Sequence, residues 1–370
     1  MRILVCNWRD LRHPAAGGAE VYTEEVMRRW AAAGHAVTLF SAAVEGAPAD
    51  EVAHGIRHVR RGSRLGVYRQ ARRWYEDEGR GNFDLVIDET NTRPFFCHEW
   101  VDDTPVVAFI HQTCEEIWFH QMPTPVAVLG RYALEPRWLA RYADVPTLTV
   151  SESSRDSLQR FGLRDVAIVP EGFTPPDFVP DVAKETRPTL LFVGRMVTYK
   201  QPFHVLTAFE IARRSIPDLQ AWFVGGGPLE AELRRRAPAG VEVLGQVSHE
   251  EKIDRMARAH ALAVTSVREG WGLVVAEAAA LGTRSVAYDA PGLRDAVRAA
   301  DGVLVPPNPE ALGAWIASVL PRWVANPPPA IPYGGVRSWD FVADSFLARA
   351  VAAARRSVHV DTRWSLRAVA

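Results

Sequence analysis

Short apolar runs alternate with stretches of helical periodicity along most of the chain, and this alternation sets the fold class. Arg2–Cys6 (RILVC) predicts a buried strand. From Gly18 to about Ala33 the recurrence of Tyr22, Val26, Trp30 and Ala33 predicts a helix closed by Gly34. Ala36–Ser41, Asp84–Asp88, Val106–Ile110 and Thr147–Val150 read as further buried strands, and Ser151 caps a helix running toward Phe161. A second series comprises Thr189–Val193, Leu219–Val224, Val241–Leu244, His260–Thr265, Arg284–Tyr288 and Gly302–Val305, each followed by a helical or turn signal. Strands alternating with helices imply a doubly wound parallel sheet, here twice over.

The two series are separated by Val169–Pro188, which is rich in proline, shows no periodicity and reads as a linker. A last helix is predicted from Ser338 to about Arg356, after the proline-rich Asn326–Pro332. The expected domains are residues 1–172, joined by a C-terminal helix within 338–370, and residues 173–337. Two such domains facing one another place the carboxyl ends of both sheets around a cleft, so the chemistry is expected in loops that follow strands.

Composition narrows the function classes. The 43 Lys+Arg nearly balance the 44 Asp+Glu, which leaves no global electrostatic case for nucleic acid. No apolar run reaches the roughly 18 residues of a membrane span. The N-terminus MRILVCNW enters a strand at once, without a signal-peptide pattern, and three cysteines make no disulfide scaffold. A cytoplasmic two-domain protein is expected. The 12 tryptophans are read mainly as core and interface fillers, although such rings also stack on sugars and bases.

The strongest chemical signal is E-G-W-G-L-V-V-A-E, Glu269 to Glu277. Gly270 and Gly272 break the loop after a strand, and Leu273–Leu281 is an apolar helix in which Glu277 is the one polar residue. A lone carboxylate there is costly unless paired or facing a polar ligand, and Glu269 lies where a helix N-terminus favours anions. The alternatives are a helix-terminal charge and a buried structural pair; the two carboxylates together with the glycines favour a site. Gly194-Arg195 and Lys200 follow the strand Thr189–Val193, a placement that suits a diphosphate. A solvated pair at a helix start is the plainer reading.

Gly225-Gly226-Gly227-Pro228 and Gly17-Gly18 open two other helices, as ligand-approach turns or simply as tight turns. Neither fits the G-x-G-x-x-G dinucleotide pattern. His111, at the end of Val106–Ile110, reads either as a structural histidine or as a hydrogen-bond partner of a substrate. A zinc site from Cys97, His98, His111 and Cys114 matches no common ligand spacing and is disfavoured.

With these residues in hand, the chain resembles the family 4 retaining glycosyltransferases (glycosyl transferases group 1) of the GT-B fold: two Rossmann-like domains facing a cleft, with the C-terminal helix crossing back. The resemblance rests on the E-x7-E pair, Gly194-Arg195…Lys200, the GGGP turn, the Gly17-Gly18 helix start and His111. It implies a nucleotide-diphosphate sugar as co-substrate, with no other cofactor and no metal. Arg195 and Lys200 would bind the diphosphate, Glu277 the ribose, and Glu269 a hydroxyl of the donor sugar. Amides of Leu273 and Val274, beside Gly272, and those of Gly17 and Gly18 would face the phosphates or sugar. Gly225 and Gly226 would line the donor, Val247 the base, and His111 the sugar near its reacting carbon. The catalytic set would be His111, Glu269, Arg195 and Lys200, acting with retention; with no evident carboxylate nucleophile in the sequence, front-face transfer is expected, and double displacement is the alternative.

This sequence departs from the family in two places. Glu171 stands where relatives often carry Asn, bringing an expected negative charge near the sugar, and Gln112 follows His111 where an acid is common. The acceptor is expected to be a glycan, glycolipid or secondary metabolite, met by aromatics in Asn91–Trp100 and Gln112–Met122. Arg57, Arg60, Arg61, Arg64, Arg69, Arg72 and Arg73 form either a solvated face or a peripheral contact with the anionic inner face of a membrane. The rival functions are a sugar-nucleotide epimerase and a non-catalytic nucleotide-sugar-binding partner. The sequence sets no oligomeric state.

Overall fold

In the computed structural model, residues 1–174, 182–332 and 336–360 are described, and the chain divides into two compact units. The first holds Met1–Thr113, Leu129–Gly172 and the chain from Ser338; the second holds Cys114–Val128 and Phe173–Arg337. Within the predicted linker, residues 175–181 lie outside the described residues, as do residues 333–335 and 361–370.

The first unit is built on an eight-stranded sheet. Its strands are β1 (Arg2–Cys6), β2 (Ala36–Ser41), β3 (Asp50–Ala53), β4 (Ile56–Arg60), β5 (Leu85–Thr90), β6 (Val106–Ile110), β7 (Thr147–Thr149) and β8 (Val166–Ile168). Their order is β3-β4-β2-β1-β5-β6-β7-β8, parallel throughout except for β3, which runs antiparallel to β4. The periodicity of the sequence does not reveal β3, β4 or β8. β3 (DEVA) is the charged strand at the sheet edge, where an unbroken apolar run is neither needed nor favoured, and β4 (IRHVR), between β3 and β2, has its apolar run interrupted by Arg57, His58 and Arg60. Arg60 is nevertheless buried, because Asp10 accepts from its Nε at 2.5 Å and Glu51 from its Nη1 at 2.9 Å.

That pairing bears on the basic stretch. Arg57 meets Glu78, Arg61 meets Asp50 and Arg72 meets Glu76, so much of its charge is offset within the unit. Among the described residues no helix is long and apolar enough to cross a membrane.

The helix Gly18–Ala32 covers one face of this sheet, and the C-terminal helix Trp339–Val360 packs with it. Trp30 joins the two by donating from its indole nitrogen to the Ala343 carbonyl at 2.9 Å. Trp339 requires glycine at 172, since a Cβ there would lie 2.1 Å from its ring. Each large side chain fully buried in this core contributes roughly 1.5–3 kcal/mol of hydrophobic stabilisation.

The second unit has a six-stranded, fully parallel sheet: β9 (Thr189–Val193), β10 (Gln220–Val224), β11 (Val241–Gly245), β12 (Ala261–Val264), β13 (Arg284–Tyr288) and β14 (Val303–Val305), in the order β11-β10-β9-β12-β13-β14. Each strand matches a predicted run to within two residues at either end. The strand order reverses between β1 and β5 in the first sheet and between β9 and β12 in the second. Loops leaving the carboxyl ends of such strands diverge and leave a crevice for a ligand.

Candidate active site

In the second unit the loops from β9 and β12 bring the predicted charges together. Lys200, in a short turn after β9, donates from Nζ to Glu269 Oε1 at 2.6 Å, and Ser266 Oγ donates to the same oxygen at 2.7 Å. Burial alone would pull the Lys200 ammonium down, but Glu269 beside it outweighs that and holds it above the ordinary lysine value. Arg195 stands in the same loop and donates from Nη2 to the Tyr199 hydroxyl at 3.0 Å. Thr265 fastens the β9 loop to β12, its hydroxyl donating to the Lys200 carbonyl at 2.7 Å.

Glu277 lies one turn into the helix Leu273–Ala280. Its carboxylate accepts from Lys252 Nζ at 3.0 and 3.1 Å, with both side chains 23% exposed. The lone polar residue of an apolar helix is therefore paired, and still touches solvent. Lys252 comes from the helix His249–Arg258, which is capped by Ser248 just beyond Val247 and the β11 loop. The sequence reading missed Lys252, whose helix shows only ordinary surface charge.

The glycines divide by role. A Cβ on Gly225 would lie 2.1 Å from the Gly194 carbonyl, and one on Gly227 would lie 2.6 Å from that of Met196. These two residues let the β9 and β10 loops lie against each other, tied by the Met196 amide donating to the Gly226 carbonyl at 2.8 Å. Gly226 itself has ordinary space, its nearest neighbours being at 3.7 Å. Gly272 begins the helix Leu273–Ala280 at φ 101°, a conformation that favours glycine.

Arg268 is another group the sequence reading missed. It is 3% exposed and forms ion pairs with Glu115 at 3.1 Å and Glu116 at 2.9 Å. Together with the Thr198 hydroxyl bonded to the His120 carbonyl, it fastens residues 114–128 beside the Lys200 loop. The sequence reading carried 114–128 with the first domain; in the structure this segment belongs to the second unit. Its aromatics, and those of Asn91–Trp100, are not uniformly available for an acceptor: Phe95 and Trp118 are buried, whereas Phe119 is 45% exposed.

In the first unit, His111 follows β6 and Glu89 is the penultimate residue of β5. His111 Nε2 is 3.2 Å from Glu89 Oε1, and both Glu89 oxygens accept from the Thr23 hydroxyl at 2.7 Å. Burial would lower His111, but the Glu89 hydrogen bond and the charges of Glu89 and Glu171 raise it above the ordinary histidine value. Glu171, 6% exposed, has Oε1 at 3.9 Å from His111 Nδ1. Burial pushes its carboxyl up to about 7. The extra negative charge expected from Glu171 is thus only partly present at neutral pH. At the helix start, the Gly17 amide donates to Glu20 Oε2 at 2.6 Å and is occupied, while among the described residues no partner takes the Gly18 amide. Cys97, His98, His111 and Cys114 form no cluster; among the described residues no three His, Cys, Asp or Glu side chains gather as a metal site.

Comparison with known proteins now defines the class. The family Glycosyltransferase Family 4 matches residues 16–175, and Glycosyl transferases group 1 matches residues 175–323. The chain belongs to the family 4, group 1 glycosyltransferases, and is a glycosyltransferase of the GT-B fold. It is 26% identical to a glycogen synthase of Mycobacterium tuberculosis over 86% of each chain. It is 29% identical to a D-inositol 3-phosphate glycosyltransferase of Geodermatophilus obscurus, over 94% of this chain and 87% of that one. Among solved structures, sucrose-phosphate synthase from Thermosynechococcus elongatus matches with a TM-score of 0.68 at 20% identity, over 97% and 98% of the two chains. Anabaena HepE in complex with UDP and glucose matches at 0.59 and 16% identity, over 98% and 100%.

Proposed function

We propose that this glycosyltransferase moves a sugar from a nucleoside diphosphate sugar to a hydroxyl acceptor, with retention at the anomeric carbon and without a metal ion. The observation that carries the reading is the Arg195 and Lys200 pair at the point where the strand order of the second sheet reverses, with Lys200 steadied by Glu269. The complex of Anabaena HepE with UDP and glucose supports it by likeness of fold. Arg195 and Lys200 take the diphosphate oxygens, and the amides of Leu273 and Val274 add the positive end of a helix. Glu277 takes the ribose hydroxyls in place of part of its bond to Lys252, and the base rests near Val247.

As the bond from the anomeric carbon to the phosphate oxygen breaks, its electron pair stays with the departing diphosphate. Arg195 and Lys200 stabilise that charge where it develops. The acceptor oxygen forms its bond on the same face of the sugar and passes its proton to the departing phosphate. Glu269 holds a hydroxyl of the sugar while this occurs. The acceptor is a glycan, glycolipid or secondary metabolite.

The test is thermal unfolding of the wild type and Glu277→Ala with uridine, guanosine, thymidine, adenosine and cytidine diphosphates, in the absence of metal. At about 100 times the dissociation constant a ligand adds roughly 2.7 kcal/mol, a readable shift. One nucleotide stabilising the wild type and not the variant supports the donor site. No shift with any of the five overturns it.

A further inference from the structure

The loop that follows β12 is held at three consecutive residues by three different parts of the second unit. The Val267 amide donates to the Tyr199 carbonyl at 2.9 Å, next to Lys200, and the Glu269 amide donates to the Pro291 carbonyl at 3.1 Å. Position 292 must be glycine for that approach, since a Cβ there would lie 1.9 Å from the Glu269 carbonyl oxygen. Arg268 stands between the two, and side chains make its tie. Its Nε and Nη2 both donate to Glu116 Oε2, at 3.1 and 2.9 Å, and Nη2 is also 3.1 Å from Glu115 Oε1.

The two acidic partners differ in burial. The side chains of Arg268 and Glu115 are 3% and 7% exposed, whereas that of Glu116 is 53% exposed. Arg268 with Glu115 is therefore the pair withdrawn from water, in which removing one charge leaves the other uncompensated. Glu115 also sits at φ 37°, a backbone conformation that residues other than glycine rarely adopt and that neighbouring contacts must hold. Both acids belong to Cys114–Val128, which the second unit holds although the chain before and after it lies in the first. A second tie fastens this segment where the Thr198 hydroxyl donates to the His120 carbonyl. Thr198 lies two residues before Lys200 and Arg268 directly before Glu269, so one segment braces both members of the Lys200–Glu269 pair. Lys200 Nζ and Ser266 Oγ both donate to Glu269 Oε1, and Oε2 takes no bond from the described residues. With Oε1 pinned, the direction of Oε2 follows from the backbone that carries Glu269, and hydrogen bonds weaken steeply off line.

We propose that Arg268 is a positioning residue of this glycosyltransferase: its buried ion pair with Glu115 sets the Glu269 loop so that Oε2 accepts from a hydroxyl of the donor sugar. The proposal rests on the donor reading given above and deepens it, because residues 114–128 become part of the frame of the sugar site. Arg268 acts through Glu269 rather than by touching substrate. Arginine is suited to this, since its planar fork fixes angle as well as distance to two carboxylates, which an ammonium does not.

The experiment is calorimetric titration of UDP against UDP-glucose and of GDP against GDP-mannose. It uses the wild type, Arg268→Lys, Glu115→Gln, Glu269→Gln, and each of the first two variants combined with Glu269→Gln. Lysine keeps the buried positive charge and loses the fork. Arg268→Lys is expected to weaken the sugar conjugate about tenfold, the low end for a hydrogen bond to a charged group, and to leave the bare nucleotide within about twofold. Glu115→Gln should show the same selective loss, smaller because an amide oxygen still accepts from the guanidinium. In the Glu269→Gln background either change should cost the conjugate less than about twofold, because residues acting in one chain of contacts are not additive. A merely structural role would cost the same in both backgrounds. Equal weakening of nucleotide and conjugate, no weakening of either, or an undiminished loss in the Glu269→Gln background overturns the proposal. Selective loss in Glu269→Gln with none in Arg268→Lys overturns it while the donor reading stands. A wild type that binds neither pair, or a Glu269→Gln that keeps full affinity for the conjugate, fails at the donor reading and takes the proposal with it. Unfolding midpoints show whether a variant has lost its fold; if Arg268→Lys has, Glu115→Gln carries the decision.

Discussion

The carboxyl edges of the two sheets handle charge in opposite ways. In the second unit Lys200 with Glu269 and Lys252 with Glu277 are partly exposed ion pairs, whose members can exchange one partner for a ligand. In the first unit Glu89, His111 and Glu171 are almost fully buried, and burial makes the two carboxyls hold protons at higher pH than usual. One edge offers fixed charge, which suits a diphosphate. The other offers an oriented imidazole and a carboxyl that titrates near neutrality, which suits neutral hydroxyls.

The sharpest way to break this contrast is at Lys200. Lys200→Ala removes a cation from the leaving group and leaves Glu269 unpaired, and kcat/KM should fall roughly 100- to 1,000-fold. Steady-state transfer assays measure it, and a loss below about tenfold would remove the fixed-charge role. Next comes the frame that holds this edge. Gly225→Ala drives a Cβ against the Gly194 carbonyl at φ 120°, and should cost about 3 kcal/mol in urea unfolding. Gly226→Ala meets nothing closer than 3.7 Å and should cost under about 1 kcal/mol, so any fall in its nucleotide affinity reports ligand contact rather than folding.

At the buried edge the prediction concerns pH. Glu171 binds its proton more tightly folded than unfolded, so between the ordinary value of 4.5 and about 7 the unfolded chain ionises first and stability falls as pH rises. His111, raised when folded, adds stability at low pH that is lost as pH climbs through its folded value, which acts in the same direction. The urea midpoint of Glu171→Gln should therefore decline less than that of the wild type between pH 5 and 8. Parallel curves would show that Glu171 titrates normally.

The smallest effect is expected on the basic stretch. Arg72→Ala breaks an exposed pair with Glu76 and should shift stability by less than about 0.5 kcal/mol. With several of these arginines already paired, flotation of the wild type with anionic vesicles should not exceed that with neutral ones. A strong anionic preference would make this stretch, rather than either carboxyl edge, the place where fixed charge meets a partner.

Much of this was legible because parallel α/β units write themselves locally. Buried parallel strands need continuous apolar runs, as in TLLFV and VVAFI, and each helix announces itself by spacing and caps such as Ser151, whose hydroxyl accepts from the Ser154 amide. Arg195, Lys200 and Glu269 could be singled out because charge or glycine in the loop after an apolar strand has no packing role there, and Glu277 because it is the one polar residue of an apolar helix. β3 stayed hidden because edge strands tolerate charge, β4 because Arg57, His58 and Arg60 interrupt its apolar run, and Arg268 because a single arginine beside a motif looks like any surface residue.

The sequence by itself determined the alternation of strands and helices, the two-unit plan and the chemical types at the strand ends, since these follow from hydrophobic period and turn chemistry over short spans. Only the tertiary structure decided which charges meet. Lys252 reaches Glu277, Glu89 anchors His111, and Glu171 Oε2 has no hydrogen-bond partner among the described residues. Those outcomes depend on where separate strands end in space and on how deeply each carboxyl is withdrawn from water, quantities that no local pattern of residues encodes.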